Sequence, residues 1–207
     1  MRIAILVYGR LNKCVEHYNN IVSSIGKHHD IDFFLSSDYP PEKLLNDFIR
    51  IYKPVSYNND PIKYECDLRQ KYPVPYPVTN VHNMTCHFIN KNRVFALLEQ
   101  HISRHNVHYD VVVSLRLDVH FNSVFNFNNL VDNTIYIPSG YDYVDNAIND
   151  QIAYGTVNVM KKYNSIDPVY LLENNLSILH PESLNCANIR LHKLKVARVH
   201  LNYHLSK

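Results

Sequence analysis

Three short stretches of the chain end an apolar run with side chains that can do chemistry. In DVVVSLRLDVHF, residues 110–121, three valines give way to strict alternation. An extended chain would send Leu115, Leu117, Val119 and Phe121 to one side, and Arg116, Asp118 and His120 to the other. A carboxylate there can hold Mg²⁺ or Mn²⁺ together with a substrate's phosphates, and the planar fork of Arg116 can hold a phosphate or carboxylate directly. The same two charges can instead simply neutralise each other at a sheet edge. Tyr8-Gly9-Arg10 follows the apolar start of the chain, and Ser36-Ser37-Asp38 follows IDFFL. In open α/β sheets ligands bind beyond the carboxyl ends of the strands, which is where all three stretches fall.

The elements that must position these groups can be read from periodicity. Residues 2–8 form an apolar run, and from Asn12 the spacing turns helical through Val15, Tyr18, Val22 and Ile25, stopped by Gly26. Residues 31–37 predict a second strand, the segment from Pro40 a second helix, and 54–57 a short third strand. Residues 58–81 break the rhythm with prolines and tyrosines and predict a long binding loop or lid. A long helix is expected over 82–103, the 110–121 strand follows, then a strand over 134–140. Residues 149–163, 168–176 and 180–191 predict helices, and 194–201 a last strand. Strands alternating with helices imply an α/β fold with a mainly parallel central sheet flanked by helices, and 207 residues suit a single domain spanning 1–207, by itself or as the N-terminal part of a longer protein.

Composition narrows the classes. The net charge is +2 and no basic block interleaves with aromatics, which argues against a nucleic-acid partner. No stretch approaches ~18 consecutive apolar residues, so no membrane span is expected. Cys14, Cys66, Cys86 and Cys186 are scattered, which suits a reducing, cytoplasmic setting better than a disulfide framework. Only four glycines occur, so a glycine-rich phosphate loop is absent and a bound diphosphate must be met by side chains or a metal.

AILVYGRLN, IDFFLSSD, VVVSLRLDVHF, NDQIAYGTVNVMKKY and HPESL, in that order, resemble the GT-A (Rossmann-like) nucleotide-sugar glycosyltransferases, in particular those by which chloroviruses build capsid glycans. The resemblance covers nearly the whole chain, and DQIAYG followed by Met-x-x-Tyr is its most specific part. It implies that Asp118 stands at the last aspartate of the family's Asp-x-Asp metal motif and binds Mn²⁺ or Mg²⁺. Arg116 replaces the first aspartate and takes over part of the charge neutralisation. It further implies that Tyr8, Gly9, Arg10 and Asp38 hold base and ribose, and that Arg93 adds a phosphate or base contact. His180 falls where some members place a further metal ligand, and His120 shares a face with Asp118.

The chemistry such enzymes perform needs stabilisation of the departing diphosphate and a base for the acceptor hydroxyl. Asp150, at the start of the expected 149–163 helix, is the candidate base, with helix capping as its alternative role. Tyr141, Asp142, Tyr143 and Asp145 resemble a sugar-binding loop and equally suit an exposed one. The expectation is a metal-assisted, inverting hexosyl- or deoxyhexosyltransferase that takes a UDP-sugar as donor and a glycan or glycoprotein as acceptor, in the host cytoplasm if viral. A nucleotidyltransferase and a non-catalytic glycan- or protein-binding module stand as alternatives.

Overall fold

A computed structural model describes residues 1–63, 68–76, 79–142 and 147–206. The N-terminal half follows the expected rhythm: β1 (Arg2–Tyr8), α1 (Cys14–Ile25), β2 (Asp30–Ser36), α2 (Glu42–Tyr52), β3 (Ser56–Asn58) and the short α3 (Leu68–Lys71). The long helix α4 (Val81–His105) leads into β4 (Val111–Leu115) and β5 (Val119–Phe121). The remainder is β6 (Thr134–Pro138), β7 (Ile152–Gly155), α5 (Val157–Asn164), α6 (Pro168–Glu173), α7 (Pro181–Leu191), β8 (Lys195–Val199) and β9 (Tyr203–Leu205).

Among the described residues the main sheet has seven strands in the order β3-β2-β1-β4-β7-β6-β8, and β5 pairs with β9 apart from it. β1 is parallel to both β2 and β4, and β6 is parallel to β8, whereas β7 is antiparallel to both β4 and β6. The result is an α/β fold with a mostly parallel sheet in which β7 runs against its neighbours. Alternation along β1, buried from Ile3 to Tyr8, divides the core. Ile3, Ile5 and Val7 pack with Ile21, Ile25, Phe48 and Tyr52 of α1 and α2 on one face. Ala4, Leu6 and Tyr8 pack with Val94, Phe95 and Leu98 of α4 and with Met160 and Tyr163 of α5 on the other. Burial on both faces explains why β1 and β4 read as continuous apolar runs. No helix of the described residues is long and apolar enough to cross a membrane.

Three expectations need correction. The 110–121 stretch is two strands, because both neighbours of β4 run out at Leu115: Val7 is its last partner on β1, and Ile152 opens β7 on the other side. The chain therefore leaves the main sheet at Arg116 and finds a new partner in β9, with Val119 opposite Leu205 and Phe121 opposite Tyr203. The alternation survives the break, since Leu115, Leu117, Val119 and Phe121 are all buried. The expected 149–163 helix is a strand followed by a helix, because Ile152–Gly155 is fully buried between β4 and β6 and sheet pairing overrides helical periodicity there. At Gly155 a Cβ would lie 3.1 Å from Val159 Cγ1, so the missing side chain lets α5 fold closely back on β7. Finally, the 58–81 segment carries α3, and Tyr72 and Val74 pack against the cluster built by α4, α6 and α7.

Gly26 ends α1 at φ 111° and ψ 112°, donating its N–H to the Val22 carbonyl. A side chain there meets both the left-handed backbone penalty and a 3.0 Å contact with His28 Cε1. Gly26→Ala is expected to lower stability by about 1–2 kcal/mol, read as a lower urea midpoint at unchanged slope.

Candidate functional site

From β1 the chain steps outward to β2 and β3 by way of α1 and α2, then returns along α4 to place β4 on the other side of β1. The strand order thus reverses between β1 and β4, and a crevice at such a switch point is where α/β sheets bind ligands. Tyr8 and Gly9 end one of these strands, and Arg116 follows the other. Gly9 turns the chain at φ 92° with its N–H on the Ser36 carbonyl at 3.0 Å, and a Cβ built there would meet nothing within 4 Å. The backbone is therefore open to close approach from outside.

The reversed β7 brings a carboxylate to the same place. Its first residue pairs with the last residue of β4, so Asp150 and Gln151 lie at the carboxyl edge of the parallel strands, with Arg116 N–H on the Gln151 carbonyl at 3.2 Å. Asp150 is 7% exposed. Its carbonyl accepts from the Tyr8 hydroxyl at 3.1 Å, and its Oδ2 lies 3.5 Å from His87 Nε2 without hydrogen-bond geometry. The His87 ring stands edge-on to Tyr8 at 5.0 Å. One turn further along α4 is Lys91, wholly buried, its Nζ 3.8 Å from the centre of the Tyr163 ring and 3.5 Å from Asn185 Oδ1. Above these, Arg116 grips Asp118 with Nε on Oδ1 at 3.0 Å and Nη2 on Oδ2 at 2.5 Å, both side chains about one-third exposed.

Burial and the Asp150 charge set the protonation of this group. Desolvation pushes the His87 imidazole down to about 4, against the pull of Asp150 and with help from Lys91 and Arg116. Desolvation likewise lowers Lys91 to about 7, with Asp150 opposing. The Tyr8 hydroxyl is raised by burial and then by Asp150, and Tyr163 by burial, Tyr8 and Asp150. For Arg116 burial works against the charge, but Asp118, then Asp150 and Tyr8, outweigh it and raise its pKa. At neutral pH the cluster therefore holds a neutral imidazole, a lysine near its titration point and a fixed guanidinium around one buried aspartate. Such a set can accept a proton from a hydroxyl and can stabilise negative charge arriving at Arg116.

A network of buried amides holds Asp150 in position. Asn149, fully buried, donates its N–H to Asp142 Oδ1 at 2.8 Å and its Nδ2 to the Tyr203 hydroxyl at 2.6 Å, while its Oδ1 accepts from Gln151 N–H at 2.9 Å. Tyr203 in turn donates to Gln151 Oε1 at 3.0 Å. Asn149 and Asp150 consequently lead into a strand and do not cap a helix, which corrects that alternative.

The other expected residues are placed as follows. Arg10 donates to Asn83 Oδ1 at 3.2 Å, and Arg93 to the Asp60 carbonyl at 2.9 Å. Asp38 accepts from Ile62 N–H at 2.8 Å. Tyr141 bonds to the Tyr203 carbonyl at 3.1 Å, and Asp142 pairs with Arg198, so both brace the 149–151 segment. Tyr143, Asp145 and Cys66 lie outside the described residues. His180 precedes α7, packs edge-on against Tyr76 at 5.0 Å, and has its pKa lowered by burial, with Asp150 opposing. His120 stands tilted to His204 at 5.0 Å and edge-on to the buried His17 at 5.6 Å.

Sequence reasoning missed His87 and Lys91. Their signal was present, since they are four residues apart on a helix whose neighbouring positions Met84, Phe88, Phe95 and Leu98 are core, which puts ionisable groups on a buried stripe. A scan against protein-family models and a search of curated proteins each find no match to the chain.

The buried pair makes stability pH-dependent with a definite sign. In the unfolded chain Lys91 keeps its proton to about pH 10, and in the fold only to about pH 7. The unfolded state holds more protons in between, so this group makes stability rise with pH by up to about 1.4 kcal/mol per unit. Above about pH 9 the raised thiols and tyrosines act the other way. Urea unfolding at pH 7, 8 and 9 is expected to show a rise in the native protein that is flattened in Lys91→Met. Equal slopes in the two would count against the buried lysine.

Proposed function

We propose that the chain is a GT-A-type glycosyltransferase that moves a sugar from a nucleoside diphosphate sugar, UDP-linked, to a hydroxyl of a glycan or glycoprotein acceptor, acting in the cytoplasm. The observation that carries the reading is the buried Asp150 carboxylate beside His87, at the strand-order switch point where Arg116 follows β4. The mostly parallel sheet, the open backbone at Gly9 and the five resembling segments support it.

The residues do not fit the expected Mn²⁺ or Mg²⁺ site. Hard divalent cations take carboxylate oxygens, and Arg116 already engages both oxygens of Asp118. The proposed reaction therefore has no metal step. The guanidinium meets the diphosphate, with Tyr8, Gly9, Arg10, Asp38 and Arg93 around the nucleotide. The acceptor oxygen attacks the anomeric carbon as the bond to the diphosphate breaks, and the leaving group departs with the electron pair, its new charge facing Arg116. The acceptor proton passes to Asp150, whose segment the hydrogen bonds of Asn149 hold in place. One displacement with one base gives inversion.

Asp150→Asn is expected to lower turnover by roughly 10²- to 10⁴-fold while leaving UDP affinity unchanged. Arg116→Ala is expected to weaken UDP binding roughly ten- to hundredfold, and added Mn²⁺ to leave binding in the native protein unchanged. Calorimetry with UDP and a transfer assay check both. Absence of UDP binding by the native protein refutes the proposal.

A further inference from the structure

A second group of ligating side chains includes neither Asp118 nor Asp150. Asp38, after β2, meets His82 and Cys86 of α4, and one ligand atom from each lies within 4.8 Å of the others. His82 and Cys86 are four residues apart, so the helix projects them from one face. Cys86 Sγ is 3.6 Å from Asp38 Oδ2 and 3.7 Å from His82 Nε2. Zinc bonds of about 2.3 Å to sulfur and about 2.0–2.2 Å to nitrogen or oxygen place the atoms of a tetrahedron about 3.5 Å apart, close to both separations. Asp38 is also oriented for the purpose: Ile62 N–H holds Oδ1 at 2.8 Å, leaving Oδ2 turned toward the thiol.

We propose that Asp38, His82 and Cys86 bind a zinc ion through Oδ2, Nε2 and Sγ. The exposed His82 side leaves the fourth position open to water or to a substrate oxygen. Thiolate and imidazole ligands select zinc over the harder Mg²⁺ and Mn²⁺, which sets this centre apart from the cation expected at Asp118. Cys86 binds as the thiolate, and its proton goes to solvent. The proposal needs neither Asp118 nor Asp150, but it shares Asp38 with the nucleotide contacts of the transferase reading, so Zn²⁺ binding and not transfer decides it.

The test is titration of the reduced, metal-stripped protein with Zn²⁺, and with Co²⁺ as an optical probe. The expected result is one equivalent of Zn²⁺ bound, a thiolate-to-cobalt charge-transfer band, and affinity at least tenfold weaker in both Cys86→Ser and the surface variant His82→Ala. Cys186→Ser and Asp118→Asn are expected to bind as the native protein does. Loss of the band in Cys86→Ser with the fold intact by circular dichroism assigns the sulfur. Failure to bind Zn²⁺, unchanged affinity in His82→Ala, or a loss that follows Asp118→Asn overturns the proposal.

Discussion

The arrangement of the site depends on one strand that runs the wrong way. In a wholly parallel sheet, the residues that precede a strand lie at the edge opposite to those that follow its neighbours. Because β7 is antiparallel to β4, the residues before it share an edge with those that follow β1 and β4. A carboxylate from late in the chain is thereby delivered beside a tyrosine and an arginine from earlier segments. The buried amides of Asn149 and Asn185 fix that delivery: Asn185 Nδ2 reaches the Asn149 carbonyl at 3.4 Å, and Asn149 binds the Tyr203 hydroxyl.

Placing that carboxylate in the interior has an electrostatic consequence. Lys91 is wholly buried, and burial of an ammonium is severely unfavourable without a partner. Among the described residues Asp150 is the charge that counteracts the burial of Lys91, and it also raises Arg116 and opposes the lowering of His87. One negative group thus serves several basic ones. Removing it alters the charge state of the whole cluster, so its positional and electrostatic roles are inseparable. The aromatic faces of Tyr163 and Tyr8 stand where water would otherwise solvate the ammonium.

Much of this was legible beforehand, and the failures have physical causes. The β1-to-β3 half was readable because each element there buries one regular stripe, and the helix over 82–103 because Met84, Phe88, Phe95 and Leu98 keep its period. Arg116 and Asp118 were found as candidates through a strand end and resemblance, and Asp150 from the need for a base, at the start of a helix that proved to be a strand. The strand character of Ile152–Gly155 was hidden, since a four-residue apolar run between polar flanks looks the same as a helical turn until its partners β4 and β6 are known. His87 and Lys91 were overlooked because their types suggest a solvated helix face, although their spacing from Met84, Phe88 and Phe95 puts them toward the core, where Tyr8 and Tyr163 meet them. The turn at Leu115 depended on where two other strands stop, which no local window contains.

The grip of Arg116 on Asp118 also shapes what the crevice accepts. The guanidinium already carries an anion of its own, so an incoming group must displace it. Exchanging one singly charged carboxylate for another leaves the charge balance unchanged and gains little. A ligand with two or more negative charges gains more from Arg116 than a single carboxylate does. An arginine paired with a neighbour two residues away would therefore favour a multiply charged anion over a simple carboxylate.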